Sequence, residues 1–248
     1  MCSPRSASVA TDAEWGSLPF DEAVQYFRAK LDIPTSHWDE LWQAAHDRAF
    51  TVAGAASESL LADLREAVDA AIAAGTTLEQ FRRDFRSIVV RHGWTGWTGE
   101  GDAAGVAWRT EVIYSTNCAT AYAAGRYTQL THPDLTQRTP YWLYRHSDSV
   151  AHPRPLHVSW DGLVLRHDNP WWTTHYPPNG WGCKCTVFAV GDRDLKALGK
   201  RGPDTAPDDG TYEWGNKRTG EVHQVPEGID PGWDYAPGAS GPFGGGGR

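Results

Sequence analysis

Hydrophobic residues recur at the 3.6-residue spacing of an α-helix through the first 131 residues of the chain. Several of these runs carry signals of a helix end. Residues 36–39 and 77–80 have the form of a capping box, and Gly75 and Gly93 each follow the end of a run. The predicted helices cover residues 20–31, 38–52, 60–72, 81–89 and 103–130.

The pattern changes at about residue 131, where Pro, Gly, Trp and His become frequent and the hydrophobic runs become short. Residues 157–160 and 163–166 flank Asp161-Gly162, a dipeptide that favours the positive φ of a two-residue hairpin turn. This stretch is therefore predicted to form a β-hairpin. Residues 184–190 are predicted to form a strand, and residues 212–214 and 221–225 a second hairpin.

Together these patterns predict an α+β fold. A helical domain is expected over residues 18–131, and a small, irregular, Trp/His-rich β domain over residues 132–235. Residues 1–17 are predicted to be a flexible N-terminus. Residues 236–248 contain six glycines and little that could be buried, so they are predicted to be a flexible tail.

Composition excludes several classes of protein. The formal net charge of −8 argues against a dedicated DNA-binding protein, because affinity for phosphate comes from clustered Lys and Arg. No apolar stretch is long enough to cross a membrane, and the first residues lack the apolar core of a secretory signal. Four cysteines are too few for a disulfide scaffold, so a reduced, cytosolic setting is expected. The 13 Trp and 9 Tyr supply the bulk for a folded core.

The densest set of reactive side chains lies between residues 132 and 185, which hold six of the ten histidines. Cys183 and Cys185 are two residues apart, so an extended backbone points both thiols to the same side. Two thiolates and an imidazole are the donors that Zn²⁺ prefers, and His157 is the best candidate for the imidazole. Asp168 or His152 could complete a tetrahedral site.

Other interpretations of these residues stay open at this point. Cys183 and Cys185 could be buried as small hydrophobic residues, form a disulfide, or provide a nucleophile paired with His157. A metal nuclease site could be formed by His157, His167, Asn169 and His175. Arg109 and Glu111 could form a functional site or a plain ion pair on the helix surface. Trp171 and Trp172 could stack on a ligand ring or fill the core.

Five motifs follow one another along the chain: Arg109-Thr110-Glu111, Arg154-Pro155-Leu156-His157, Asp168-Asn169-Pro170-Trp171, residues 177–185 and residues 229–235. In their order and spacing they resemble the phage Mu protein F-like family, the minor head or head-morphogenesis proteins of tailed bacteriophages. The similarity extends over about residues 18–238, and its most specific part is C-terminal. One departure is Lys184, where Arg is more usual.

The resemblance implies a non-enzymatic structural protein of the virion. Such a protein is made in the host cytoplasm, enters the capsid interior or portal vertex, contacts the portal protein or the major capsid protein, and meets packaged DNA only indirectly. It implies no membrane association. The residues His157, Asp168, Cys183 and Cys185 carry over as a structural knot that could hold zinc, without a catalytic role. The alternative functions are a metal-dependent hydrolase or toxin that uses the His/Cys cluster, and a plain zinc-binding interaction module.

Overall fold

The computed structural model describes residues 20–240, so the predicted flexible N-terminus at 1–17 lies outside the described residues. The helices in this part of the chain are α1 (Asp21–Arg28), α2 (Glu58–Ala74), α3 (Leu78–His92), α4 (Ala103–Leu130), α5 (Pro133–Arg138), α6 (Pro155–Ser159), α7 (Trp172–His175) and α8 (Asp192–Ala197), with a 3-10 helix at Gln43–Asp47. The strands are β1 (Leu31–Asp32), β2 (Ala49–Phe50), β3 (Tyr141–Arg145), β4 (Val164–Arg166), β5 (Thr186–Val190), β6 (Thr211–Gly215) and β7 (Val222–Pro226). The α+β prediction is confirmed.

Four of the five helices predicted from periodicity are present as α1 to α4. The Thr77 side chain caps α3 by accepting a hydrogen bond from the backbone N–H of Gln80. Gly75 and Gly93 end α2 and α3 in the left-handed conformation, with φ of 68° and 58°. Local signals therefore set both ends of α3 and the C-terminal end of α2.

The predicted helix at residues 38–52 is wrong. This stretch holds only the short 3-10 helix and β2, which pairs in parallel with β1. The expected capping residues make other contacts: the Glu40 carboxylate accepts hydrogen bonds from the backbone N–H groups of Ser36 and His37, and Asp39 pairs with Arg218. The Trp42 ring stacks on His223, with ring centroids 4.3 Å apart. Contacts with the C-terminal part of the chain therefore replace the helical stripe.

The helical region packs around one cluster of buried apolar side chains from α1 to α4 and the segments between them. Helices α1 and α4 approach closely at Gly125, where a Cβ atom would lie 2.8 Å from the backbone nitrogen of Ala23. The cluster consists mainly of aliphatic side chains and Phe, including Phe27, Phe50, Leu61, Leu64, Val68, Phe81, Phe85 and Ile88. No helix in the described residues is long and apolar enough to cross a membrane.

The C-terminal region contains a three-stranded antiparallel sheet in the order β4-β3-β5 and a separate β6-β7 hairpin. The prediction of strands at 184–190, 212–214 and 221–225 is confirmed. The predicted hairpin at 157–166 is wrong, because residues 157–159 belong to α6 and β4 pairs with β3 instead. Helical spacing places His157 and Trp160 on the same side, where their rings stack with centroids 5.2 Å apart. A strand would have pointed them to opposite faces.

A second cluster of buried side chains, the aromatic core, fills the C-terminal region. It includes Trp142, Tyr144, Trp160, Trp171, Trp172, Tyr176 and Trp233 together with Cys183 and Cys185. The start of the predicted flexible tail also packs here, since Ala236 is buried. The backbone N–H groups of Gly238 and Ser240 donate to the buried Asp47 carboxylate. The tail prediction is therefore wrong for residues 236–240, and residues 241–248 lie outside the described part.

Candidate metal centre

Three of the predicted ligands meet inside the C-terminal region. The ligand atoms of His157, Cys183 and Cys185 all lie within 4.8 Å of one another, and all three residues are buried. The Nδ1 atom of His157 is 3.7 Å from the Sγ atom of each cysteine. Both cysteines are free thiols, so the disulfide alternative is not the state of this structure. Two sulfurs and one ring nitrogen that lie this close together form a donor set for a soft or borderline metal ion.

The loop that carries the cysteines is held in place by polar contacts with distant segments. The buried Asn179 side chain accepts a hydrogen bond from the Tyr144 hydroxyl at 3.0 Å. The Asp230 carboxylate accepts from the Arg154 guanidinium at 2.6 Å and from the Trp181 backbone N–H at 2.8 Å. Gly180 lies against this carboxylate, where a Cβ atom would clash with it. These contacts fix the backbone immediately before Cys183.

The imidazole of His157 is oriented by a second hydrogen bond. Its Nε2 atom donates to the backbone carbonyl of Gly228 at 2.8 Å, so the proton resides on Nε2. The other ring nitrogen, Nδ1, faces the two sulfurs, and in the neutral ring it carries the lone pair that can bind a metal ion. A carbonyl partner on the far side of a histidine is the usual arrangement at protein metal sites, because it fixes the tautomer and the ring orientation.

The two thiols have unequal acidity. A hydrogen bond from the Cys183 thiol lowers the pKa of Cys185 to about 7, although burial opposes this shift. The same hydrogen bond raises the pKa of Cys183, because its proton is held between the two sulfurs. Of the two thiols, Cys185 is the one that loses its proton more readily, and the thiolate is the form of cysteine that binds metals.

The structure does not bring Asp168 or His152 to this cluster. The exposed Asp168 carboxylate pairs with the nearby Arg166 guanidinium at 3.0 Å, and this ion pair lowers the pKa of Asp168. His152 is exposed on the loop before α6.

A residue that the sequence patterns did not indicate, His146, does lie beside the cluster. Its Nδ1 atom is 3.6 Å from the Sγ atom of Cys185. The signal that could have found it is the pairing of β3 with β5, which places residue 146 next to residue 185.

The histidines of the alternative nuclease site, His167 and His175, each contact a different part of the protein. The His167 ring bonds to the Pro140 carbonyl at 3.1 Å, and His175 stacks on Trp171 with ring centroids 4.3 Å apart. Burial lowers the pKa of His175 to about 4. Trp171 and Trp172 are both buried and pack edge to face, which agrees with the core interpretation and leaves no free ring for stacking a ligand.

Arg109 and Glu111 form neither a site nor an ion pair with each other. The buried Arg109 guanidinium donates to the backbone carbonyl of Ala53, and Glu111 lies 3.9 Å from Arg82.

A cavity of about 410 Å³ between α4 and residues 176–188 is lined in part by Cys183 and Cys185. Within the described part of the chain, His157 is not among the residues that line this cavity. The imidazole therefore contacts the thiols from the protein interior, on the side away from the cavity. A nucleophile and its base in an open cleft would both face the cavity.

Comparison with known proteins adds information on ancestry. Residues 62–188 match the family model described as "Phage Mu protein F like protein", and the matched span contains all four of His146, His157, Cys183 and Cys185. No solved structure gives a significant match.

Two curated relatives extend the similarity over most of the chain. The "Putative capsid assembly protein F" of Escherichia phage Mu is 37% identical over 247 residues, which cover 90% of this chain and 55% of that protein. The "Mu-like prophage FluMu F protein" of Haemophilus influenzae is 35% identical over 169 residues, which cover 66% of this chain and 40% of that protein. The chain thus spans about half the length of the relatives it matches. By the family match and these identities, the chain belongs to the phage Mu protein F-like family.

Proposed function

We propose that this chain is a structural protein of a tailed-phage head that acts in capsid assembly and resides in the virion near the portal vertex. The observation that carries the proposal is the 37% identity, over 90% of the chain, to a phage Mu protein named as a putative capsid assembly protein. The formal net charge of −8 is consistent with this location, because an acidic protein is not retained on packaged DNA.

The partners in this proposal are the portal protein or the major capsid protein. Helix α4 offers a contact surface, since Trp108 and Tyr122 are about half exposed on it, at 51% and 50%. They are 14 residues apart, which is close to four helical turns, so both project toward similar directions. Large aromatic side chains are enriched in protein–protein interfaces and contribute a large share of the binding energy there.

A non-catalytic role is supported by the environment of the His/Cys cluster. His157 is only 2% exposed, its Nε2 atom bonds to a backbone carbonyl, and its ring is stacked on Trp160. A catalytic imidazole has to reach a substrate, whereas this one is covered on its face and at one nitrogen. The alternative of a metal-dependent hydrolase or toxin would need His157 to act on a substrate through these contacts.

Mass spectrometry of purified phage particles, produced from the genome that encodes this chain, tests the proposal. We expect the chain in intact heads at low copy number, and empty or malformed heads when its gene is deleted. Complementation with the Trp108→Ala/Tyr122→Ala double variant should lower its incorporation, whereas Val90→Ala, an exposed apolar residue on α3, should not. Normal heads after deletion, with the chain absent from wild-type particles, would refute the proposal. Hydrolase activity that disappears in His157→Ala while the fold survives would favour the alternative.

A further inference from the structure

The geometry points to a structural Zn²⁺ site formed by His146, His157, Cys183 and Cys185. This ligand set differs from the one predicted from sequence in that His146 takes the place of Asp168. All four ligands come from the C-terminal region, and none of the argument depends on the proposed role in the phage head.

Three of the distances between donor atoms match those of a tetrahedral zinc site. With Zn–S of about 2.3 Å and Zn–N of about 2.0–2.1 Å, a sulfur and a nitrogen of one tetrahedron lie about 3.6 Å apart. Three such separations are present: 3.7 Å from His157 Nδ1 to each sulfur, and 3.6 Å from His146 Nδ1 to the sulfur of Cys185. The sulfurs of Cys183 and Cys185 are also within 4.8 Å of each other.

His146 reaches the cluster because of strand pairing. β3 and β5 run antiparallel with Arg145 opposite Thr186, so the next pair along the ladder is residue 146 with residue 185. The backbone N–H of His146 donates to the Asp161 carboxylate at 2.9 Å, which holds this end of β3. His146 lies outside the group whose ligand atoms are all within 4.8 Å, so zinc binding has to draw its ring toward His157 and Cys183.

The donor chemistry selects zinc over the hard cations. Two thiolates and two neutral imidazoles are soft to borderline ligands, whereas Mg²⁺ and Ca²⁺ prefer oxygen. Two thiolates also balance the charge of a divalent ion, so the filled site buries no net charge. Both thiols give up their protons when they bind a metal ion, because the thiolate is the ligand form of cysteine.

Four protein ligands leave no open coordination position, which is the mark of a structural rather than a catalytic zinc site. The ligands join three separate segments: the end of β3, helix α6, and the loop before β5. These segments surround the aromatic core and contain only short strands and helices. A metal ion would therefore cross-link a region that has little regular secondary structure of its own.

Metal analysis of the purified reduced chain tests this inference. We expect about one zinc per chain, and Co²⁺ substitution should produce tetrahedral d–d bands together with a thiolate-to-cobalt charge-transfer band. His146→Ala should lower zinc affinity by at least about 100-fold and change the cobalt spectrum. The matched controls are Asp168→Ala and Cys118→Ser, a free cysteine outside the cluster, and both should bind zinc as the wild type does.

Cys183→Ser removes one sulfur and should abolish the charge-transfer contribution of that ligand. Because this variant could fail to fold, zinc affinity and cobalt spectra of His146→Ala and Asp168→Ala are the decisive pair. Unchanged affinity in His146→Ala, or a loss in Asp168→Ala, would overturn the assigned ligand set. Wild-type protein that binds neither zinc nor cobalt, or that contains a Cys183–Cys185 disulfide, would overturn the site itself.

Discussion

The helical region and the C-terminal region hold their structure in different ways. Helices α2, α3 and α4 contain 17, 15 and 28 residues, and apart from the groups at their ends their backbone N–H and C=O groups bond to each other within each helix. Strands β3, β4 and β5 contain 5, 3 and 5 residues. In the C-terminal region, loops are instead fixed by side chains, as with Asn179, Asp230 and His157. A region of short elements thus depends on individual polar contacts, whereas a helical core depends on total apolar burial.

The two regions are nonetheless joined by shared structure. Helix α4 contributes Ile113, Ala121 and Ala124 to the helical core and Ala123 and Leu130 to the aromatic core. The Asp47 carboxylate accepts hydrogen bonds from the Tyr26 hydroxyl of the helical core and from the backbone N–H groups of Gly238 and Ser240 in the C-terminal part of the chain. Breaking one core is therefore expected to weaken the other, and the following experiments probe how far.

Removal of the central ring of the aromatic core should have the largest effect. Trp160 is buried against Tyr144, Trp171 and His157, so Trp160→Ala should lower the free energy of unfolding by about 4 kcal/mol. The matched change in the helical core, Leu64→Ala, should cost about 3 kcal/mol. Denaturant unfolding followed by circular dichroism measures both. A loss below about 1 kcal/mol for Trp160→Ala would contradict a packed aromatic core.

Adding a methyl group at Gly180, in the loop that carries the cysteines, tests whether individual polar contacts hold the C-terminal region. A Cβ atom at Gly180 would lie 2.3 Å from an Asp230 carboxylate oxygen, so Gly180→Ala should displace the Arg154–Asp230 pair and destabilise the protein by about 3 kcal/mol. Gly202→Ala is the control, since nothing lies within 4 Å of its Cβ position. Equal stability of the two variants would mean that the loop adapts and that these polar contacts are not decisive.

The buried histidine His175 should make the C-terminal region sensitive to acid. Burial lowers its folded-state pKa to about 4, while the unfolded value is about 6.5. The folded state thus favours the neutral ring. The contribution of His175 to the free energy of unfolding is complete above pH 6.5 and decreases as the pH falls toward 4. The expected loss between pH 7 and pH 4.5 is about 2 kcal/mol.

Urea unfolding at several pH values checks this effect. His175→Asn cannot titrate, so its stability should fall less steeply below pH 6.5 than that of the wild type. Both proteins retain the four proposed zinc ligands, so the pH dependence of metal binding cancels in the comparison. His152→Asn, at an exposed histidine, controls for the loss of an imidazole as such. Parallel pH profiles for wild type and His175→Asn would show that burial of His175 does not contribute.

Much of the helical region could be predicted because its signals are local. Periodicity located α1 to α4, and Thr77 with Gly75 and Gly93 marked helix ends. The same method failed at residues 38–52, where a helical stripe and a capping box are both present. Those side chains contact Arg218 and His223 from the far end of the chain, and no local pattern contains that information.

The sequence by itself determined that the chain is α+β, that its helices precede a Trp/His-rich region, and that Cys183 and Cys185 face one side; it offered His157 as a candidate partner, which the structure confirmed. It could do so because helix periodicity and two-residue spacing act over a few residues. Only the tertiary structure decided that His157 lies on a helix, that Asp168 pairs with Arg166, and that His146 stands beside Cys185. Each of these outcomes depends on strand pairing or packing between segments tens of residues apart, which is settled by the folded chain as a whole.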